Sequence, residues 1–325
     1  MRFIRSAALL APAFCAVLLA PSGQAQAAYP DKPIKIIVPF TPGGTSDVLT
    51  RTVGEQLGKD LGQSVVVENR AGAGGALGAG FVARAEPDGY TLLMGSSSGL
   101  AVNPGLFSNL PYDPEKSFTP ISMVAGIQNI LLVNPSLPIK TVPDLIAYGK
   151  QHPLFFASAG IGSSPHMSAE VFEAMSGLKM THVPFKGGPE SLSEVISGRV
   201  NLVFDNMPTA AVMVKSGQLR GVAVTGLNRS PMVPDLPTID SQGLPGYNVT
   251  VWYGLVAPAG TPPAIIALLS GEVAKILARP EIKAKLIEIG TEPASSTPAE
   301  FKALIASERA KWADVIKKAD IKVMN

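Results

Sequence analysis

Apolar residues in this chain come in short runs, and the stretches between the runs repeat them at helical spacing. Ile34-Lys35-Ile36-Ile37-Val38 reads as a buried strand, and Pro39 to Gly44 breaks it with a loop. Helical spacing follows from about Ser46 to Gly58, with Val48, Leu49, Val53 and Leu57 on one face. Asp47 in the first turn suits the helix dipole, and Thr45 or Ser46 can cap. Val65-Val66-Val67 is a second strand, Gly72 to Gly75 leads into a helix ending near Ala83, and Thr91-Leu92-Leu93-Met94 is a third strand with Gly95 to Gly99 as its loop. Alternation of this kind predicts an α/β fold, a mostly parallel sheet with helices on both faces.

A second unit repeats the order. Phe155-Phe156-Ala157 is a strand, Ser158 to Ser164 a small-residue loop, and Pro165 stands at the expected first helical position. Met167, Val171, Phe172 and Met175 share the face of the helix that follows. Further strands are expected at His182–Phe185, Val200–Phe204 and Leu219–Val224, with helices ending at Ser197 and Ser216. Ile130–Pro135 and Tyr253–Pro258 are apolar strands of nearly the same pattern, each ended by proline. Paired side by side they would form a two-stranded hinge between two lobes. Three helical stretches, about Pro263–Leu277, Glu281–Ile289 and Pro298–Ala319, would then pack back on the first lobe. The expected division is a first lobe of residues 28–128 plus 250–325 and a second of 129–249.

The first 27 residues stand apart. Arg2 and Arg5 precede an uncharged apolar run from Ala7 to Ala20, and Ala25-Gln26-Ala27 supplies a small-residue cleavage site. This is the pattern of a secretory signal peptide, too short in its apolar part to span a bilayer. Cleavage after Ala27 would place the protein in the periplasm. It would also remove Cys15, the only cysteine, and leave 25 basic and 25 acidic residues. Such a chain has no basic excess for nucleic acid and no thiolate chemistry. His152, His166 and His182 lack zinc-site spacing, so neither metal nor cofactor is expected.

The chemistry lies in loops at strand carboxyl ends, where ligands of open α/β sheets bind. Glycines allow close backbone approach, helix N-termini offer free N–H groups, and Ser and Thr add hydroxyls. This donor set favours an anion without needing a full positive charge. The candidate ligand residues are Phe40, Thr41, Gly43, Gly44 and Thr45 after the first strand, and Ser96 and Ser97 after the third. Ser158, Ala159, Gly162, Ser163 and Ser164 follow in the second unit, with Asp205 at the end of a buried strand. Ser176-Gly177-Leu178-Lys179 matches the S-x-x-K motif of penicillin-binding enzymes, but it falls where a helix ends and lacks the S-D-N and K-T-G partners. Leu77 occupies the third glycine position of a G-x-G-x-x-G pattern. No catalytic residue is expected.

Several of these motifs resemble the Bug family, the periplasmic receptors of tripartite tricarboxylate transporters. They are Val38-Pro39-Phe40 with Gly43-Gly44 and Asp47, Glu68-Asn69-Arg70 with Gly72 to Gly75, and Pro87-Asp88-Gly89-Tyr90-Thr91. Gly160 to His166 with Glu170, His182 to Gly187, and Trp252 to Pro258 complete the set in order along the chain. The resemblance implies a two-lobed periplasmic-binding-protein-like fold and a carboxylate ligand gripped by the loops Phe40–Thr45 and Ser158–Ser164. It also implies membrane transporter subunits as partners, for a receptor expected to be a monomer. A sensor subunit of a signalling system would present the same lobes.

Overall fold

The computed structural model describes residues 29–321; the expected signal peptide, residues 1–27, lies outside the described residues. Strand β1 (Ile34–Val38) pairs in parallel with β2 (Val65–Asn69) and β3 (Thr91–Ser96). Helix α1 (Thr45–Leu61) connects the first two and buries Leu49, Val53 and Leu57 against them. Each such side chain contributes about 1.5–3 kcal/mol when fully buried. A 3-10 turn (Ala73–Gly75) and α2 (Ala76–Ala83) connect β2 to β3. Beyond β3 the chain enters a π-helical turn (Ser98–Val102) and the short α3 (Asn103–Leu106), where an open loop was expected.

The strand that organises the molecule is β4 (Phe118–Val133), 16 residues long. Its first part, Phe118–Gln128, pairs antiparallel with β9 (Thr250–Pro258), which in turn pairs antiparallel with β3. Its last part, Asn129–Val133, lies between β7 (Leu202–Asn206) and β8 (Arg220–Val224), antiparallel to both. Strands β5 (Phe155–Ser158) and β6 (Thr181–Pro184) extend the second sheet in parallel from β7. The protein is therefore two-lobed, with a mixed sheet in each lobe and β4 common to both.

The hinge strands were expected to pair Ile130–Pro135 with Tyr253–Pro258. The observed register differs: Tyr253 faces Ala125, and Pro258 faces Phe118. Ile130 to Val133 instead fill the second lobe's sheet. The strand is continuous through Gln128, so the expected apolar run captured only the end of a longer element. Its first half is interrupted by the partly buried Pro120 and Gly126, which disguises it.

The second lobe adds α4 (Val142–Gly149), α5 (Ser164–Ser176), α6 (Gly188–Ile196) and α7 (Met207–Lys215). Helix α4 was not foreseen. Thr141 and Asp144 cap it reciprocally, a signal that was in the sequence. Helices α8 (Pro263–Ala278), α9 (Pro280–Glu288) and α10 (Pro298–Lys318) match the three expected stretches. Between α9 and α10 the two-residue β10 (Glu292–Pro293) pairs with β4. Leu269, Val273 and Ile276 of α8 join the core beneath α1, whereas Phe301, Ile305 and Trp312 of α10 join the other face.

Candidate functional site

Four helices begin around one small cavity between the lobes: α1 from the first lobe, and α5, α6 and α7 from the second. None of the four carries a side-chain capping hydrogen bond at its N-cap. Their first N–H groups and positive dipole ends converge on the same space, which favours a negative charge there. The cavity has a volume of about 30 Å3. That admits a water molecule and no organic acid, so the two lobes lie closed on each other.

Phe40, Gly44, Thr45, Ala159, Ser163, Ser164 and Asp205 of the expected set line this cavity. Ser46, Ser98, Pro165, Gly188, Asn206, Thr209 and Tyr253 line it as well and were not on the expected list. No lysine, arginine or histidine is among the lining residues. The hydroxyls of Thr41, Thr45 and Ser46 are buried and have no hydrogen-bond partner. A buried hydroxyl left so forfeits about 1–3 kcal/mol, which an acceptor at the site would return.

The first-lobe loop is held from behind. Asn69 at the end of β2 donates from Nδ2 to Phe40 O and to Asp47 Oδ1, both at 3.0 Å. The other Asp47 oxygen accepts from Gly43 N and Arg51 Nε, also at 3.0 Å. Burial works to raise the Asp47 pKa, but these donors and the Arg51 charge outweigh it and leave the carboxyl below its usual value. Asp47 thus stays ionised as a latch and does not face the cavity. Asn69→Ala removes the shared donor, and the expected outcome is a loss of about 1–2 kcal/mol in urea denaturation. An unchanged denaturation midpoint would show that the latch carries no stability.

In the second lobe, the polar wall runs back into the hinge. Asn206 Nδ2 reaches Ser164 Oγ at 3.3 Å and Asn129 Oδ1 at 3.2 Å, and Asn129 Nδ2 donates to Ser168 Oγ at 3.0 Å. Asn129 is the residue at which β4 changes partners. Tyr253 of β9 lies 3.4 Å from Asn206 Oδ1. Asp205 is 2% exposed, and its carboxylate accepts from the Thr209 hydroxyl. Burial pushes its pKa up to about 6, against the opposing pull of that hydrogen bond. The Tyr253 pKa is raised by burial first and by Asp205 second.

The remaining expected residues lie beside the cavity. Ser158 is fully buried, 2.6 Å from His182 Nε2. Gly162 faces Asn103 and Leu106 of the first lobe. Gly43 packs toward Pro189, and Thr41 toward Gly187, so both meet the second lobe. Ser96 ends β3 opposite Tyr253, and Ser97 precedes the π-helical turn whose Ser98 does reach the cavity. Ser176, the start of the S-x-x-K match, sits at the carboxyl end of α5 and accepts from Leu178 N at 3.2 Å.

The fold and the cleft can be set beside known proteins. The family model described as the tripartite tricarboxylate transporter family receptor matches residues 49–321. The chain belongs to that receptor family. A protein of R. palustris, Rpa4515, solved with adipate, is 38% identical and superposes with a TM-score of 0.89, covering 91% of this chain and 100% of that one. The periplasmic binding protein BugD is 32% identical, with a TM-score of 0.88 and the same coverage. MatC from Rhodopseudomonas palustris, solved with bound malate, is 32% identical, with a TM-score of 0.84 over 89% of this chain and 100% of that one. Receptors of this family are periplasmic, as BugD is. Among the described residues of this receptor, no helix is long and apolar enough to cross a membrane.

Proposed function

We propose that this receptor captures a small organic carboxylate between its two lobes and delivers it to membrane subunits of a tripartite transporter. The observation that carries this reading is the pair of unpartnered buried hydroxyls, Thr45 and Ser46, on a cavity where four uncapped helix N-termini meet. Neutral N–H and O–H donors aimed at an anion make charge-assisted bonds, roughly twice as strong as neutral ones. Two relatives solved with adipate and malate support the ligand class. We read the protein as a receptor and not an enzyme, because the family whose model it matches is one of transporter receptors.

In this reading the lobes are residues 28–128 plus 250–325 and residues 129–249, and the mature chain begins at Ala28 after export. Phe40, Gly44 and Thr45 supply one jaw, and Ala159, Ser163 and Ser164 the other. The ligand enters when the lobes part about β4 and β9, and closure excludes water and strengthens each bond. The change can follow only because the ligand interacts better with the closed form.

Calorimetry with a panel of carboxylic acids tests the proposal. At least one acid should bind one-to-one, and its methyl ester should bind at least about tenfold more weakly. Equal affinity for acid and ester would remove the anion site.

A further inference from the structure

The loop between β5 and α5 carries the second jaw, and its shape is not self-evident. Gly160 and Gly162 both have left-handed backbones, with φ of +107° and +78°. A glycine loop has many alternatives and needs something to choose among them. Four hydrogen bonds do so: Gly160 N to Ser158 Oγ at 3.0 Å, Gly162 N to His166 Nδ1 at 3.3 Å, and Ser163 N and Oγ to Gly160 O at 3.1 and 2.6 Å. The first two lead to imidazoles.

Each ring is set in one orientation. His166 is 3% exposed, and its Nε2 lies 3.2 Å from Glu170 Oε1. Donating there leaves the Nδ1 lone pair free to accept from Gly162, which assigns the tautomer from the network. His182 Nε2 lies 2.6 Å from Ser158 Oγ. With the His182 ring in its Nδ1–H form, Ser158 accepts from Gly160 and gives its own proton to His182 Nε2. Burial, and then His166, push the His182 pKa down to about 3, which keeps that ring neutral and able to accept. The two rings lie 4.3 Å apart, and Phe156 stacks on His182 at 4.7 Å.

We propose that His166 and His182 are positioning residues for the ligand: their ring nitrogens, one directly and one through Ser158, fix the loop that presents Ala159, Ser163 and Ser164 to the cavity. Neither ring lines the cavity itself. The inference rests on the carboxylate-receptor reading for its effect on affinity. Its effect on the loop does not depend on that reading.

A lone pair can be separated from mere bulk by substitution. In His166→Asn the amide oxygen stands near the place of Nδ1, and in His182→Gln it stands near the place of Nε2. His166→Leu and His182→Leu fill space and accept nothing. Amide hydrogen exchange of the ligand-free protein reads the loop, and calorimetry with adipate and malate reads the site. In His166→Leu the Gly162 amide should exchange about tenfold faster, and in His182→Leu the Gly160 amide should do the same. Whichever probe acid binds should weaken about tenfold in both, with the Asn and Gln variants within about threefold of the natural protein. Ser158→Ala should expose the Gly160 amide with both rings intact, which decides the matter if a leucine variant does not fold. Leucine variants as protected as the Asn and Gln variants, or an unaltered Gly160 amide in Ser158→Ala, would overturn the proposal. If neither acid binds the natural protein, adipate and malate are not its ligands, and the exchange rates alone judge the loop.

Discussion

Gly74→Ala should weaken carboxylate binding by roughly 5- to 150-fold, the equivalent of about 1–3 kcal/mol of overpacking, while the protein stays folded. A Cβ at residue 74 would lie 1.9 Å from Ile161 O, across the cleft in the second lobe. That neighbour is backbone and cannot rotate away. The closed arrangement must therefore loosen, whereas an open one has no such contact. Gly74 also sits at φ +57°, where alanine carries about 1–2 kcal/mol of local strain. Thermal unfolding reports that part separately. Small-angle scattering with saturating ligand should show the variant less compact than the natural protein. Gly187→Ala is a milder companion. It meets Thr41 Oγ1 at 1.8 Å, which can turn away, and Thr41 Cβ at 2.9 Å, which needs only a small shift, and φ of −171° suits any residue. A Gly74→Ala variant with natural affinity would mean that the ligand does not require this closure.

Asp205→Asn should make the protein more stable at pH 7.5, by about 1–3 kcal/mol. The Asp205 pKa rises from 3.8 to about 6 on burial, roughly two units at 1.36 kcal/mol each. The sign follows from proton binding. Between about pH 4 and 6 the folded state holds the Asp205 proton and the unfolded state does not, so stability falls as pH rises through that window. Below it the penalty is absent, and above it the penalty is complete. The asparagine variant lacks this slope, although it exchanges a charge-assisted bond from Thr209 for a neutral one. Binding should respond in the same direction. Ionised Asp205 repels a carboxylate on the same cavity, so affinity for a carboxylate ligand should decline above pH 6 in the natural protein and stay level in the variant. Chemical denaturation and calorimetry from pH 5 to 8 check both. Parallel stability curves for the two proteins would refute the assigned titration.

The sequence made the strand–loop–helix order legible because each unit closes locally. Ile34–Val38 and the Leu49, Val53, Leu57 stripe were sufficient for β1 and α1. The jaws were legible for the same reason: Thr45 and Ser163 belong to strand-end loops that open a helix. Asn206 and Thr209 obey the same rule around α7 and could have been found, since Asp205 had already marked that loop. Tyr253 could not. It reaches the cavity only because β9 inserts between β3 and β4, a pairing set by residues more than a hundred positions away. Likewise Met175 continues the helical stripe of α5 but is 39% exposed, because the stripe outruns the sheet beneath it.

The place of β9 also bears on the order in which the chain can fold. The second lobe is drawn from one contiguous stretch, and its pairings close as soon as β8 is made. The first lobe cannot close then, because its middle strand arrives last. Until Thr250–Pro258 emerge, β3 and the first part of β4 are separate open edges, with apolar residues such as Leu93 and Val124 uncovered. Long-range pairings of this kind form slowly, and open edges recruit other strands. A nascent or truncated chain ending before Thr250 would therefore hold a finished second lobe beside an adhesive half-sheet, which makes the segment from Thr250 onward the part on which solubility depends.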